Sequence, residues 1–203
     1  MNGRDLLEAM SFLDEELVAA SDPPPRAIPW KRALSLAACG GKPTGETTAQ
    51  TETTAPASFE GTMEELVNGI IGQRPVEFMG GSMVIDLTDT SEDGQWMVKS
   101  FTGLEDASAL TDAAVYEPMM SSVAFSLVTV RVAPDGDAKA VAESMKSGID
   151  PRKWICVEAD DLLVAGYGDV VMLIMVSSTS EMTAQSFVDA FQTVVGGTCD
   201  FVI

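Results

Sequence analysis

The clearest pattern in the chain is a set of strand-like runs in its second half. In Glu117–Val132 (EPMMSSVAFSLVTVRV), Phe125 and Leu127 fall on one face of an extended segment, and Val128, Val130 and Val132 on the other. Two companions follow, Pro151–Glu158 (PRKWICVE) and Asp169–Ser177 (DVVMLIMVS). Val170–Val176 is apolar on both faces as well. A strand apolar on both faces has to be covered on both, which places the first and last of these runs in the middle of a sheet.

The remaining pattern from Phe59 onward supplies material to cover that sheet. Thr62-x-x-Glu65 forms a capping box ahead of an apolar stripe, Leu66, Val67, Ile70 and Ile71, with Gly72 as the stop. Met83–Leu87 and Gln95–Phe101 read as short strands joined by the acidic turn Thr88–Gly94, and Glu105–Val115 as a weak helix ending before Pro118. After Pro134–Asp137 turns the chain, Ala138, Val141, Ala142 and Met145 mark a helix face closed by Gly148. Trp154–Glu158 reads as a strand, and Leu162–Ala165 with Asp169–Ser177 as a hairpin around Gly166-Tyr167-Gly168. Ser178-x-x-Glu181 caps a last helix whose buried stripe is Ala184, Phe187, Val188, Phe191, Val194 and Val195, ended by Gly196-Gly197. Cys199–Ile203 adds a short edge strand.

Strand, helix, strand, hairpin, helix predicts a β-α-β crossover combined with antiparallel pairing. The expected fold is α+β: a mixed, mainly antiparallel sheet with helices packed on one face.

Ahead of Phe59 the pattern changes twice. Asp5–Ala20 has helical period, with Leu6, Met10, Leu13 and Leu17 on one side, and Asp22 with Pro23–Pro25 ends it. Trp30-Lys31-Arg32 then precedes six small or apolar residues, Ala33–Ala38, and Cys39. That run is shorter than the ~7–15 residues of a signal-peptide core and far below the ~20 of a spanning helix. Gly41–Ser58 (GKPTGETTAQTETTAPAS) has no apolar period and reads as a tether. The expected organisation is an amphipathic helix over 1–22, a short apolar segment and tether over 23–58, and a globular domain over 59–203.

Composition narrows the chemistry. Among 203 residues there are twelve Lys+Arg and thirty-one Asp+Glu, a formal charge of −19. From Phe59 onward seven bases stand against twenty-three acids, net −16. Such a surface repels phosphate backbones, so a nucleic-acid partner is not expected. The chain contains no histidine, which removes the commonest general base and metal ligand and every Ser-His or Cys-His pairing. No catalytic, cofactor-binding or metal-ligating residues are expected, and no cofactor. Cys39, Cys156 and Cys199 have no CxxC spacing. Cys156 reads as a small hydrophobe in mid-strand, and outside the cell a Cys156–Cys199 disulfide is open to it. Trp154 reads as a core or rim residue of the sheet. Asp89–Gly94 superficially resembles the start of a calcium loop, but its twelfth position is Ser100 and not the required Glu, so it reads as an acidic turn.

Leu36-Ala37-Ala38-Cys39 fits a bacterial lipobox, with basic residues before it and the polar tether after it. Cys39 is the candidate lipidation site. Taken with Glu117–Val132 and Asp150–Val157 (DPRKWICV), the chain resembles a family of bacterial proteins known as the domain of unknown function 4358, over roughly Met63–Val195. Members are lipoproteins or membrane-tethered proteins of Gram-positive gut anaerobes, with a Thr-rich tether and no recognised catalytic residues to carry over. Asp5–Leu17 looks like a segment that fronts membrane-anchored, in some cases anti-sigma-like, proteins of the same bacteria. Here the apolar stretch after Arg32 is too short to span.

The resemblance and the lipobox together imply a non-enzymatic, extracytoplasmic, tethered domain at the outer face of the bacterial cytoplasmic membrane. Its partner would be an unidentified protein or envelope component, with membrane attachment by lipid or N-terminal segment. The alternative is a membrane-associated regulatory protein whose N-terminal helix faces the cytoplasm. Oligomeric state is left open.

Overall fold

The computed structural model describes residues 58–120 and 122–203. The predicted helix Asp5–Ala20, Cys39 with its LAAC run, and the tether up to residue 57 lie outside the described residues.

The described chain runs α1 (Met63–Gln73), β1 (Gly80–Val84), α2 (Glu92–Thr102), β2 (Leu110–Pro118), β3 (Phe125–Val132), α3 (Ala138–Gly148), β4 (Asp161–Tyr167), β5 (Val170–Val176), α4 (Ala184–Val195) and β6 (Phe201–Val202). The strands form one six-stranded sheet in the order β1-β2-β3-β5-β4-β6, and every neighbouring pair is antiparallel. The α+β class stands, with an all-antiparallel sheet. The two runs expected at its centre, β3 and β5, are the third and fourth strands and pair with each other from Phe125↔Val176 to Arg131↔Val170.

The expected crossover occurs in split form. β3 and β4 point the same way with β5 between them, and α3 makes the connection. The hairpin between β4 and β5 turns at Gly168, whose φ of +58° is one that side-chain-bearing residues rarely adopt.

Helices cover both faces of the sheet, not one. On one side α1 and α4 bury Met63, Leu66, Val67, Ile70, Phe187, Val188 and Phe191 against Phe125, Leu127, Met172, Ile174 and Val176. On the other, α2 and α3 bury Val98, Val141, Ala142 and Met145 against Val115, Val128, Val130, Val171, Leu173 and Met175. The doubly apolar pattern of β5 requires this arrangement: each of its seven residues is buried. On the α1/α4 face Phe125 is the hub of an aromatic cluster, with ring centroids 5.0 Å from Phe78, 5.2 Å from Phe187 and 6.2 Å from Tyr116. Tilted and edge-on pairs of this kind add roughly 0.5–1.5 kcal/mol each beyond area burial.

Three segments depart from the sequence reading. Gln95–Phe101, expected as a strand, belongs to helix α2. Ser91 caps that helix by accepting from Gly94 N, Glu92 and Asp93 lie in its first turn where the helix dipole favours them, and Gly103 ends it at φ +78°. Glu105–Val115, expected as a helix, is a loop followed by β2. Its alanines favour a helix locally, but pairing with β1 on one side and β3 on the other outweighs that preference.

Trp154–Glu158, expected as a strand, is a closed loop. Asp150 Oδ1 accepts from Arg152 N at 2.9 Å, Pro151 O accepts from Ala159 N at 2.9 Å, and Arg152 pairs with Glu158 at 2.8 Å. The loop is tied at its ends, leaving Ile155 and Cys156 exposed.

Smaller shifts have local causes. The capping box at Thr62 and Glu65 is present, and α1 continues past Gly72 to Gln73. Ser178 and Glu181 do not cap α4. Thr183 does, accepting from Ser186 N, and Asp161 Oδ2 accepts from Ala184 N at 2.8 Å. The short strand expected at Met83–Leu87 is displaced to Gly80–Val84. Gly148 is the last residue of α3 and packs on the backbone of Gly103, a contact that any side chain at 148 would block.

Candidate functional site

Titratable side chains offer the first candidate. Lys153, in the loop after α3, reaches over the end of the sheet and is only 11% exposed. Its Nζ lies 2.6 Å from Glu117 Oε1, 3.1 Å from Ser126 Oγ and 3.3 Å from Ser100 O. The rings of Phe101 and Trp154 flank it at 4.9 and 5.5 Å. Burial pushes the amine below the ordinary lysine range, and the Glu117 carboxylate opposes that shift.

An ammonium group has three N–H donors. Ser126 Oγ and Ser100 O accept from two of these, and the Glu117 carboxylate lies against the charge as an ion pair, so the amine is committed within the domain. Lys153 is a plug that closes one end of the α2/α3 layer. A cleft of about 400 Å³ lies beside it, lined by Trp96, Lys99, Ser100, Gly148 and Asp150.

Other charged groups have similar structural assignments. Arg131 Nη1 pairs with Asp169 at 2.6 Å, while its Nη2 donates to Phe59 O and Gly61 O at 2.9 and 2.8 Å. Ser58 Oγ donates to Asp169 Oδ1 at 3.1 Å, so these two residues clamp the incoming chain where β3 ends and β5 begins. Asp112 Oδ2 accepts from Met63 N at the start of α1, and Asp200 Oδ2 from Gly168 N in the hairpin turn. Thr88, Ser91, Ser108 and Ser178 donate to Asp86, Asp89, Asp106 and Asp160, holding these carboxyls below the ordinary aspartate range. Thr88–Gly94 therefore leads into a helix cap, and its C-terminal flank is helical where a strand was expected. Among the described residues, no three His, Cys, Asp or Glu converge on a point that could hold a metal ion.

Cys156 and Cys199 do not bond to each other. Cys156 and Cys199 are both free thiols. Cys156 is exposed in the loop with φ +64°, not a small hydrophobe inside a strand. Cys199 is half-buried after α4, and burial pushes its thiol up to about 11. Trp154 is half-buried and packs on the α2/α3 core, in the rim position expected of it, although from the loop and not from a strand.

The second candidate is an apolar corner of the surface. Of the eight exposed large hydrophobic residues among the described residues, Met79, Met119 and Met120 lie together where β1 begins and β2 ends, while Met83 and Val84 lie at the other end of β1 on opposite faces. Met79, Met119 and Met120 are 77%, 73% and 70% exposed. Met119 N donates to Met79 O at 2.9 Å, which holds the two methionines side by side just beyond the paired part of the strands. Among the described residues the adjoining strand β1 is the edge of the sheet, paired with β2 alone, and packs under α1. Next to it a groove of about 650 Å³ is lined by Arg74, Val76, Phe78, Val123 and Met182.

Sequence reading missed this corner because Met79 lies outside every expected element and Met119 and Met120 fall inside the strand-like run Glu117–Val132, which the structure divides into the end of β2, an intervening turn and β3. The available signal was apolar residues beside turn residues, Met79-Gly80-Gly81 and Met119-Met120-Ser121. Comparison with family models, with curated proteins and with solved structures gives no match.

Proposed function

We infer that this protein is a non-enzymatic binding domain, tethered at the outer face of a bacterial cytoplasmic membrane, that captures a protein or envelope partner on the corner formed by β1 and the end of β2. The single observation that carries the reading is the grouping of Met79, Met119 and Met120 on one exposed corner, with Met83 further along the same face of β1. Contiguous apolar surface of this kind marks interaction sites, and methionine side chains adapt their shape to a partner. The polar groups point away from catalysis, because the partly buried Lys153, Glu117, Arg131 and Asp169 are committed to one another and to the chain's own backbone.

Envelope placement is supported by Leu36–Cys39 and by the Thr-rich tether. Cys39 is the proposed lipid carrier. Full-length protein expressed in a Gram-positive host should mature to a chain that starts at Cys39, carries lipid and partitions into detergent. Cys39→Ala should abolish both processing and partitioning. An intact mass that retains Met1–Ala38 without lipid would overturn the lipoprotein assignment and favour the membrane-regulator alternative.

A further inference from the structure

We propose that β1 binds its partner by strand addition, and that the partner is an extended polypeptide segment alternating cationic and apolar side chains. The proposal rests on the reading of the β1 corner as a binding surface, and adds how the partner is held and what chemistry it carries.

Among the described residues, the hydrogen-bond pattern of β1 leaves a free edge. Met79 O accepts from Met119 N, and Ile85 N donates to Ala113 O, each at 2.9 Å. In an antiparallel ladder alternate residues bond the same neighbour, so 79, 81, 83 and 85 face β2. The N–H and C=O groups of Gly80, Ser82 and Val84 therefore point outward, three donors and three acceptors along a five-residue strand. Edges of this kind are normally blunted by charge, proline or shortness. The opposite edge follows that rule, since β6 has two residues. β1 does not: Gly-Gly-Ser-Met-Val carries neither a charge nor a proline.

Gly81 adds a second indication. A side chain at Gly81 would meet no atom within 4 Å, so packing inside the domain does not demand glycine there. The Cβ direction at Gly81 leads out of the sheet on the Met79/Met83 side, so the open space leaves room there for a side chain of an added strand.

The surroundings define the partner's side chains. On the α2/α3 side of the edge stand Met79, Met83 and Met119, which suit an apolar side chain. On the α1 side Ser82 Oγ donates to Glu64 Oε1 at 3.2 Å and accepts from Asn68 Nδ2 at 3.1 Å, so a carboxylate borders the strand. α1 carries Glu64 and Glu65 and no base, with Arg74 just past its end at the groove, and the domain from Phe59 onward is net −16. Successive side chains of an added strand alternate between these two sides, one apolar and one acidic. The complement is a strand of alternating apolar and cationic residues.

The test uses the full chain and a capped decapeptide alternating Lys and Val, with a Glu/Val peptide of equal length as control, followed by amide NMR and hydrogen exchange. The Lys/Val peptide should shift and protect the amides of Gly80, Ser82 and Val84, and the Glu/Val peptide should not. Val84→Pro removes one outward N–H without touching the bonds to β2, and should weaken binding by about tenfold or more while the Gly81 and Met83 amides keep their protection. Binding that maps to Met79, Met119 and Met120 but survives Val84→Pro would overturn strand addition and leave the corner as a binding surface. Equal binding of the Glu/Val peptide would overturn the cationic partner. Protection of the outward amides without peptide, together with sedimentation as a dimer, would assign the edge to a second copy and overturn the proposal. Shifts confined to other surfaces would overturn both the proposal and the reading beneath it.

Discussion

β5 and β1 lie in one sheet, are both uncharged and are both short, yet one is the most protected strand of the domain and the other the most open. β5 (VVMLIMV) has a paired neighbour on each edge and helices over each face, and all seven residues are buried. β1 (GGSMV) has one neighbour, one covering helix and no fully buried residue. Absence of charge thus has opposite meanings at the two positions. In β5 it reflects the cost of desolvating a charge in the core; in β1 nothing in the domain requires it, which makes it a feature of the surface. Stability is concentrated in the centre and recognition, on the reading given above, at the edge.

The largest effects are expected where that centre is cut. Phe125 touches three other aromatic rings and is fully buried, and Phe191 is fully buried on the same face. Phe125→Ala and Phe191→Ala should each destabilise by ~3–5 kcal/mol. Urea denaturation measures this, and midpoints within a few tenths of a molar of wild type would contradict the packing. The same variants should leave the peptide-induced shifts of β1 in place under conditions where they remain folded, which separates the two regions.

The next effect concerns the plug at the sheet's end. Lys153→Met leaves Glu117 partly buried without its cation, and should cost about 2–4 kcal/mol, somewhat below a fully buried pair because Glu117 keeps a quarter of its exposure. Adding Glu117→Gln should recover most of that loss, and a double-mutant cycle by urea denaturation measures the coupling. Additive losses would show that the two side chains act independently. The pH dependence has a definite sign. Burial holds the folded-state pKa of Lys153 below 10.5, so in that window the unfolded chain binds more protons. Stability from this group therefore rises with pH between the folded value and 10.5, and Lys153→Met should lose that rise.

What could be read from the sequence follows the same division. The centre was legible because β3 and β5 repeat apolar residues on both faces, and burial on both faces admits few arrangements. The helices α1, α3 and α4 were legible from stripes such as Ala184, Phe187, Val188 and Phe191. Two segments exchanged identity because local preference and tertiary pairing disagree. Trp96-Met97-Val98 has strand-forming residues inside a capped helix, and Ala113-Ala114 has helix-forming residues between two strands. The Ile155-Cys156-Val157 run looked like a strand because its residues favour one, but Lys153 and Trp154 draw the chain down onto the core and its backbone pairs only at the loop's ends. The β1 corner was not legible, since Met119 and Met120 read as the start of the strand run Glu117–Val132, and Met79 beside two glycines reads as an ordinary turn.

The smallest stability effect is expected from one substitution made at β1, and its contrast with the same substitution in β5 brings the comparison to a single residue type. Val171 is fully buried in β5, and Val171→Lys would place an ammonium in the core with no carboxylate to meet it; the chain should fail to fold cooperatively. Val84 is 52% exposed, and its outward position lets a lysine reach solvent. Val84→Lys should change stability by no more than about 0.5 kcal/mol. Strand pairing to β2 is untouched, because residue 84 does not bond that neighbour. On the edge, however, the new cation stands where a cationic partner would approach, and lysine is the residue that natural sheets use to keep edges unpaired. Binding of the Lys/Val peptide should therefore weaken in Val84→Lys while the urea midpoint stays at the wild-type value. Loss of both together would mean that β1 contributes to the core after all, and loss of neither would remove the edge from the recognition surface.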